Sequence, residues 1–192
     1  MTEETRPHVE GAYLRLLDML KPILCDRPFL FGGRPTLADI GLMGPMFRHF
    51  AMDPAPGIIM REEAPDVMAW VYRVWSARAS RTTGPLVTGI PDDLRPLLRE
   101  AGTAHLEALN AEATAWKAGQ KHHDATVQGT TYRNLQTSQY RVWCLETLQA
   151  RYAALDLAAR QALDPLLQAE GVLEPLLRQN GIDAGYEQAK QA

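Results

Sequence analysis

The chain has 192 residues, 46% of them hydrophobic and 22% charged, with a net charge of −3. That is enough for one domain with a substantial core, and the composition is that of a globular protein. The slight acidity argues against a nucleic-acid-binding surface, and no apolar run reaches the roughly 20 residues that span a bilayer. The start, Met1-Thr2-Glu3-Glu4-Thr5-Arg6, is polar and lacks the apolar stretch of a signal peptide. Cys25 and Cys144 fit no metal or redox spacing. They read as free thiols in a reducing cytoplasm.

Residues 1–8 are polar, and fraying is expected there. A first helix is predicted from Pro7 to Cys25, because Val9, Tyr13, Leu16, Leu17, Leu20 and Leu24 recur at steps of three and four. Pro22 is expected to bend its last turn, and Asp26-Arg27-Pro28 to break it. Phe29-Leu30-Phe31 is an apolar connector that must bury itself, and Gly32-Gly33 turns the chain into the next helix. That helix opens at Arg34-Pro35-Thr36-Leu37-Ala38-Asp39-Ile40-Gly41. Thr36 stands at the N-cap, and Asp39, three residues on, reaches back to its amide in a capping box. Pro35 and Ile40 have the spacing of a hydrophobic staple. Leu37, Ala38, Ile40, Leu42, Met43, Met46, Phe47 and Phe50 leave almost no polar face, so burial on most sides is expected. Gly41 and Gly44 allow another helix to approach closely, and Pro45 predicts a kink or an early end.

Asp53-Pro54-Ala55-Pro56-Gly57 reads as a loop, and Ile58-Ile59-Met60 as a short docking turn. Pro65 suits a first helical position and Asp66 complements the positive helix start. Val67, Val71, Val74, Trp75 and Arg78 are expected to set the face of this helix, with Arg73, Arg78 and Arg81 crowding its C-terminal half. Thr82 to Pro96, punctuated by Gly84-Pro85, Gly89 and Ile90-Pro91, reads as loop. A fourth helix is predicted over Leu94–Trp116. Thr126-Val127-Gln128 and Thr130-Thr131-Tyr132 flank Gly129 as an extended or hairpin-like piece. A fifth helix is predicted over Thr137–Leu155, on the stripe Val142, Leu145, Leu148, Tyr152 and Leu155. Two short helices follow, near Leu157–Gly171 and Val172–Asn180, each holding a proline suited to a first turn or a kink. Gly185 to Ala192 is polar and expected to be loose.

The run Arg27-Pro28-Phe29-Leu30-Phe31-Gly32-Gly33-Arg34-Pro35-Thr36-Leu37-Ala38-Asp39-Ile40, followed by Ala64-Pro65-Asp66-Val67-Met68-Ala69-Trp70-Val71-Tyr72-Arg73, resembles the C-terminal, all-helical domain of glutathione S-transferases. There a Phe-Leu-x-Gly stretch leads into a Ser/Thr-x-x-Asp capping box on a central helix. An Ala-Pro-x-Val-x-x-Trp segment opens the next. The resemblance covers roughly residues 9–80 and rests on folding residues. It implies an all-α chain, a helical bundle of the glutathione S-transferase C-terminal type with additional C-terminal helices. The expectation is a single domain over 1–192, in which 9–80 is the family-matching core and 81–192 adds helices.

In that family the thiol of glutathione is activated by a Tyr or Ser hydroxyl, or replaced in function by a Cys nucleophile. Those groups belong to a thioredoxin-like domain, and nothing in this sequence resembles one. The resemblance therefore implies no catalytic residue in this chain. It assigns no residue to glutathione, the co-substrate of the parent family, and no metal or cofactor. The partners it implies are a thioredoxin-like domain in cis or in trans, a small hydrophobic electrophile and a homodimer, with no nucleic acid and no membrane. The helix that opens the family's helical domain also has no counterpart here. The expectation is that the chain is the C-terminal portion of a longer protein, or that Leu94–Trp116 and Thr137–Leu155 cover the first helices instead. Two functions stay open: the electrophile-side half of a transferase-like enzyme, and a non-catalytic protein–protein interaction module built on the same fold.

Other constellations have ordinary readings beside the functional ones. His122-His123-Asp124 lacks a third ligand at a telling spacing and reads as solvent-exposed rather than as a metal site. His105 reads as a packed or surface residue. Arg48-His49 suits the negative end of a helix better than a substrate pocket. Tyr13, Tyr132 and Tyr140 read as core rather than pocket lining. Tyr132-Arg133 and Tyr140-Arg141-Val142-Trp143 are candidate surfaces for another domain. Asp39 reads as a capping acid, and on capping alone Asp39→Ala is expected to cost about 0.5–2 kcal/mol.

Overall fold

A computed structural model describes residues 2–186. Its described residues form two compact units, Pro7–Arg95 and a second one made of residues 2–6 with 96–186. Apart from one two-stranded hairpin in the second unit, the regular structure is helical.

The first unit begins with α1 (Arg6–Asp26). Tyr13, Leu17, Leu20, Ile23 and Leu24 are buried along it, the stripe that the spacing predicts, although Val9 stays exposed. Tyr13 stacks on Phe50 with ring centroids 4.6 Å apart and donates its hydroxyl to the Pro56 carbonyl at 2.8 Å. Burial pushes its phenol above the ordinary value. Residues 2–5 are not frayed. The Thr2 and Thr5 hydroxyls lie 3.1 Å apart, the Thr2 amide donates to Thr5 Oγ1 at 3.0 Å, and Thr5 is buried.

After α1 the connector Phe29-Leu30 is buried as expected. Gly32 sits at φ +124°, and a Cβ there would lie 2.6 Å from the Pro85 carbonyl oxygen. A Cβ on Gly33 would lie 2.7 Å from Gly84 Cα. The two glycines let backbone meet backbone: the Gly33 amide donates to Pro85 O and the Val87 amide to Phe31 O, each at 2.8 Å. The loop after residue 82 is thus tied to the connector by main-chain bonds rather than left free.

The central helix α2 (Leu37–Pro45) continues without a break into a wider π turn, Met46–Ala51. Pro45 has no N–H for the Gly41 carbonyl, so the α ladder loses a rung and the spacing opens to five residues, as in Met52 N–H to Phe47 O at 3.2 Å. Burial on most sides is overturned. Asp39, Met46 and Ala51 are buried, whereas Leu37 is 77% and Ile40 55% exposed.

The stretch read as loop and docking turn is a helix, α3 (Pro54–Glu63), with Pro54 at its first position. A proline there gives up an N–H that has no intrahelical partner anyway, so Pro-Ala-Pro starts a helix as readily as it breaks one. α4 (Pro65–Trp75) follows and packs on α3, α2 and the π turn. Its buried face is Val67, Met68, Trp70, Val71 and Val74. Trp75, expected on that face, is 64% exposed, and Arg78 lies beyond the helix end.

The second unit holds α5 (Arg95–Glu100), a π turn Ala101–Leu106 and α6 (Glu107–Lys117) as one continuous rod. Gly102 sits where the rod touches the turn at Gly171: a Cβ would lie 2.6 Å from Gly171 O and 3.2 Å from Val172 Cα. Gly102→Ala is therefore expected to cost about 1–3 kcal/mol through overpacking. An unchanged thermal melting temperature would contradict this contact.

The hairpin pairs β1 (His122–Val127) with β2 (Thr130–Gln136) in antiparallel register, Val127 opposite Thr130 and Ala125 opposite Tyr132. Gln128 and Gly129 both have positive φ, 48° and 81°, as a tight primed turn demands. A bulge in β2, where Arg133 and Asn134 together face Asp124 and Asn134 has φ 53°, shifts the register, and the Asp124 carboxylate accepts the Asn134 amide at 2.8 Å. β1 packs on α6, and so does α7 (Gln139–Ala153). Next come α8 (Leu157–Ala169), N-capped by Asp156 on the Ala159 amide at 2.7 Å, and α9 (Leu173–Leu177). Pro165 lies inside α8 rather than in its first turn. Leu106, Leu109, Ala113, Leu145, Leu167, Val172 and Leu176 form the core of this unit.

The segment before residue 186 is tied down rather than loose. Gln139 donates to Ala184 O at 2.6 Å, Trp116 to Asp183 O at 3.1 Å, and the Gly185 amide to Asp183 at 2.7 Å. The rest of the expected loose tail, 187–192, lies outside the described residues. Among the described residues Cys25 and Cys144 are free thiols.

Candidate functional site

The capping motif forms the centre of the first unit. Asp39 is fully buried. Its Oδ2 accepts from the Thr36 amide and the Thr36 hydroxyl, each at 2.8 Å, which places the capping box where the sequence puts it. Its Oδ1 accepts from the Leu30 amide at 2.8 Å and from Trp70 Nε1 at 3.0 Å. One carboxylate thus joins the connector, the start of α2 and the middle of α4. Four donors occupy both oxygens, so Asp39 is a structural acid with no lone pair aimed at a ligand. The spacing alone did not show the Leu30 and Trp70 donors.

Outside this hub α2 presents an open face. Leu37, Ile40, Gly41 and Gly44 fall at i, i+3, i+4 and i+7, one side of a helix, and all four are exposed. A Cβ placed on Gly41 or Gly44 would meet nothing within 4 Å. A groove of about 460 Å³ borders this face, lined by Arg34, Pro35, Ile40, Val74, Ala77, Ala79, Thr82 and Thr83. Beyond it Phe47 stacks on Trp75 at 4.7 Å and meets Tyr72 edge-on at 6.4 Å. Tyr72 and Trp75 are exposed.

The second unit has its own buried acid. Glu112 of α6 is buried and accepts from the Ser138 amide at the start of α7. Arg141 Nη1 approaches it at 3.2 Å. His123 Nε2, without a hydrogen-bond partner among the described residues, lies 3.8 Å from Glu112 Oε2. The His123 side chain is 5% exposed, which overturns the solvent-exposed reading of that residue. Its other nitrogen is 3.2 Å from Thr137 Oγ1. His122 and Asp124, its sequence neighbours, are exposed as expected. Alternation along β1 could have signalled this, since 123 shares a side with the buried Ala125 and Val127.

The remaining sequence candidates scatter. Arg48 and His49 are exposed on the π turn, and His105 is exposed on the π turn of the second unit. Tyr13 is core, Tyr132 half-buried and Tyr140 exposed. Tyr140 and Tyr186 flank Trp143 at 5.8 and 5.9 Å, beside a groove of about 480 Å³ that runs from Leu135 to Arg141. Among the described residues no group of three His, Cys, Asp or Glu could hold a metal ion, and no helix is long and apolar enough to cross a membrane.

Residues 2–77 match the family model for the glutathione S-transferase C-terminal domain. No curated protein and no solved structure matches the chain. The match spans α1 to the end of α4, the stretch that the buried Asp39 joins together. Over residues 2–77 the chain is thus similar to the helical, C-terminal domain of glutathione S-transferases.

Proposed function

We propose that this chain supplies the helical, electrophile-side half of a glutathione S-transferase-like protein. It is catalytically inert without a thioredoxin-like domain, in cis or in trans, to hold glutathione and activate its thiol. The observation that carries the reading is the match over residues 2–77, joined to a hub that is wholly structural: the acid at the centre of the motif is saturated by Leu30, Thr36 and Trp70. The second substrate is a small hydrophobic electrophile and the setting a reducing cytoplasm, in keeping with two free thiols. The purified chain, given glutathione and a generic aryl halide, is expected to show no turnover above the uncatalysed rate and no retention on immobilised glutathione. A thioredoxin-like glutathione-binding domain fused ahead of Thr2 is expected to confer turnover. Turnover by the chain alone would overturn the assignment of catalysis to another domain.

One observation favours a second reading, a non-catalytic interaction module. The exposed Leu37 and Ile40, with Gly41 and Gly44 open beside them, form the kind of apolar helix face that protein partners cover. A fusion that folds and binds glutathione but stays inactive would favour the module.

A further inference from the structure

The seam between α6 and α7 already holds a peptide, the chain's own residues 179–186, and the contacts of that segment describe what the seam accepts. Gln139, Trp143, Glu146 and Gln149 fall at i, i+4, i+7 and i+10, one side of α7, beside the core residues Val142 and Leu145. Trp116 and Lys117 stand at the end of α6. The bonds run from these side chains to main-chain groups of the segment. Lys117 Nζ donates to Asn180 O at 2.7 Å, Trp116 Nε1 to Asp183 O at 3.1 Å, Gln149 Nε2 to Gln179 O at 2.8 Å and Gln139 Nε2 to Ala184 O at 2.6 Å. Glu146 accepts the Ala184 amide at 3.2 Å. Alternate residues of the segment turn inward. Ile182 packs on the core of the unit, Ala184 is fully buried and the Tyr186 ring lies 5.9 Å from that of Trp143. Gly181 and Asp183 are exposed, and Gly185 sits at φ +73°.

We propose that this seam is a receptor site for a non-helical peptide segment of a protein partner, and that residues 179–186 are its built-in occupant, which the partner displaces. A bond to a carbonyl or an amide is blind to the side chain beside it, so any backbone laid in the seam gains the same bonds. Selectivity comes from the alternate side chains that turn inward, as in the reading of extended peptides. The ligand is a segment of the form aliphatic-x-Ala-Gly-aromatic: the site of Ala184 admits only a small residue, that of Ile182 an apolar one, and Trp143 offers a ring to stack on. Release of the segment leaves the packing of Leu106, Leu109, Ala113 and Leu145 in place, so it opens locally without unfolding α6 or α7. Its tether gives it a high effective concentration, and a partner binds only by out-competing it, which makes the segment a gate on the site. The site lies outside residues 2–77 and uses no glutathione chemistry, so its failure leaves the transferase reading standing, and failure of that reading leaves this site standing.

The test uses the full chain and a dye-labelled synthetic peptide of residues 178–186, Arg-Gln-Asn-Gly-Ile-Asp-Ala-Gly-Tyr. In the full chain carrying Ala184→Trp, a fully buried position receives an indole it has no room for, so the segment lifts and the seam opens. The peptide is expected to bind this variant saturably, measured by anisotropy, and to bind the parent about tenfold more weakly or less, since there the tethered segment competes. A peptide carrying Ala184→Trp is expected to bind neither. Adding Glu146→Leu to the variant removes the acceptor of the Ala184 amide and is expected to weaken the peptide about tenfold. Circular dichroism checks that the variants fold. A second measurement needs no variant: in the parent, millimolar unlabelled peptide is expected to speed hydrogen exchange at the Ala184 amide about tenfold, and the peptide carrying Ala184→Trp to leave it unchanged. Absence of binding to a folded Ala184→Trp chain, equal binding to variant and parent, indifference to Glu146→Leu, or unchanged exchange at Ala184 would overturn the proposal. So would self-association of the parent, seen by sedimentation and removed by Ala184→Trp, since the occupant would then be a second copy.

Discussion

Asp39→Ala is expected to lower the stability of the chain by about 3–5 kcal/mol, well above the capping value, because the loss reaches three segments at once. The substitution strands the Leu30 amide, the Thr36 amide and hydroxyl, and the Trp70 indole N–H, which now converge on one buried carboxylate. Each unsatisfied buried donor costs about 1–3 kcal/mol, reduced wherever water or a shifted backbone reaches it. Asp39→Asn is expected to be nearly as damaging, since its amide nitrogen would face donors where an acceptor is required. Trp70→Phe removes one donor and keeps most of the ring, so a loss of about 1–2 kcal/mol is expected. Urea unfolding followed by far-ultraviolet circular dichroism measures all three. A loss below about 1 kcal/mol for Asp39→Ala would mean that the tertiary donors contribute nothing beyond the cap.

Arg27→Met is the second large effect, about 2–4 kcal/mol. Arg27 is buried, donates Nε–H to Leu30 O at 2.9 Å, and grips both oxygens of Asp93 at 2.7 and 2.8 Å. It therefore holds the segment at residue 93 to the same connector that Asp39 holds to α2. The pair also gives the stability a pH signature. The hydrogen bonds from Arg27 hold the Asp93 carboxyl below its usual range, against a smaller upward push from burial. A depressed folded-state value contributes stability that is present above the unfolded carboxylate value, about 3.9. That contribution is lost as pH falls through the lower folded-state value. The parent chain is thus expected to lose stability more steeply than Arg27→Met on acidification from about pH 5. Parallel acid titrations of the two proteins, followed by thermal melting, measure the difference. Equal slopes would mean that the ion pair is not held in solution.

Much of the first unit is legible in the amino-acid order because its signals are local. The capping box of Thr36 and Asp39, the stripe from Tyr13 to Leu24 and the proline that opens α4 each concern neighbours within a turn or two. The hairpin is legible for the same reason: Gly129 stands between Thr126-Val127-Gln128 and Thr130-Thr131-Tyr132, and it takes the positive φ that the turn needs. Where proline is concerned the local signal is ambiguous. Pro54 begins α3, and Pro45 widens α2 instead of ending it. A ring without an N–H is tolerated wherever the missing bond was never made or a longer rung replaces it.

What the sequence by itself determined is the helical class, the place of most elements and the resemblance that the match over residues 2–77 bears out. Only the tertiary structure decided which faces are covered. Periodicity shows that Leu37, Ile40 and Trp75 are apolar, but burial depends on what stands opposite, and among the described residues all three stay more than half exposed. The same holds for polar groups. His123 looks like a solvent residue until β1 lays it against Glu112, and Asp39 looks like a simple cap until Leu30 and Trp70 close on it. Local order is set by bonds between near neighbours in the chain. Exposure, and with it the surface that can meet a partner, is set by contacts between residues far apart in sequence.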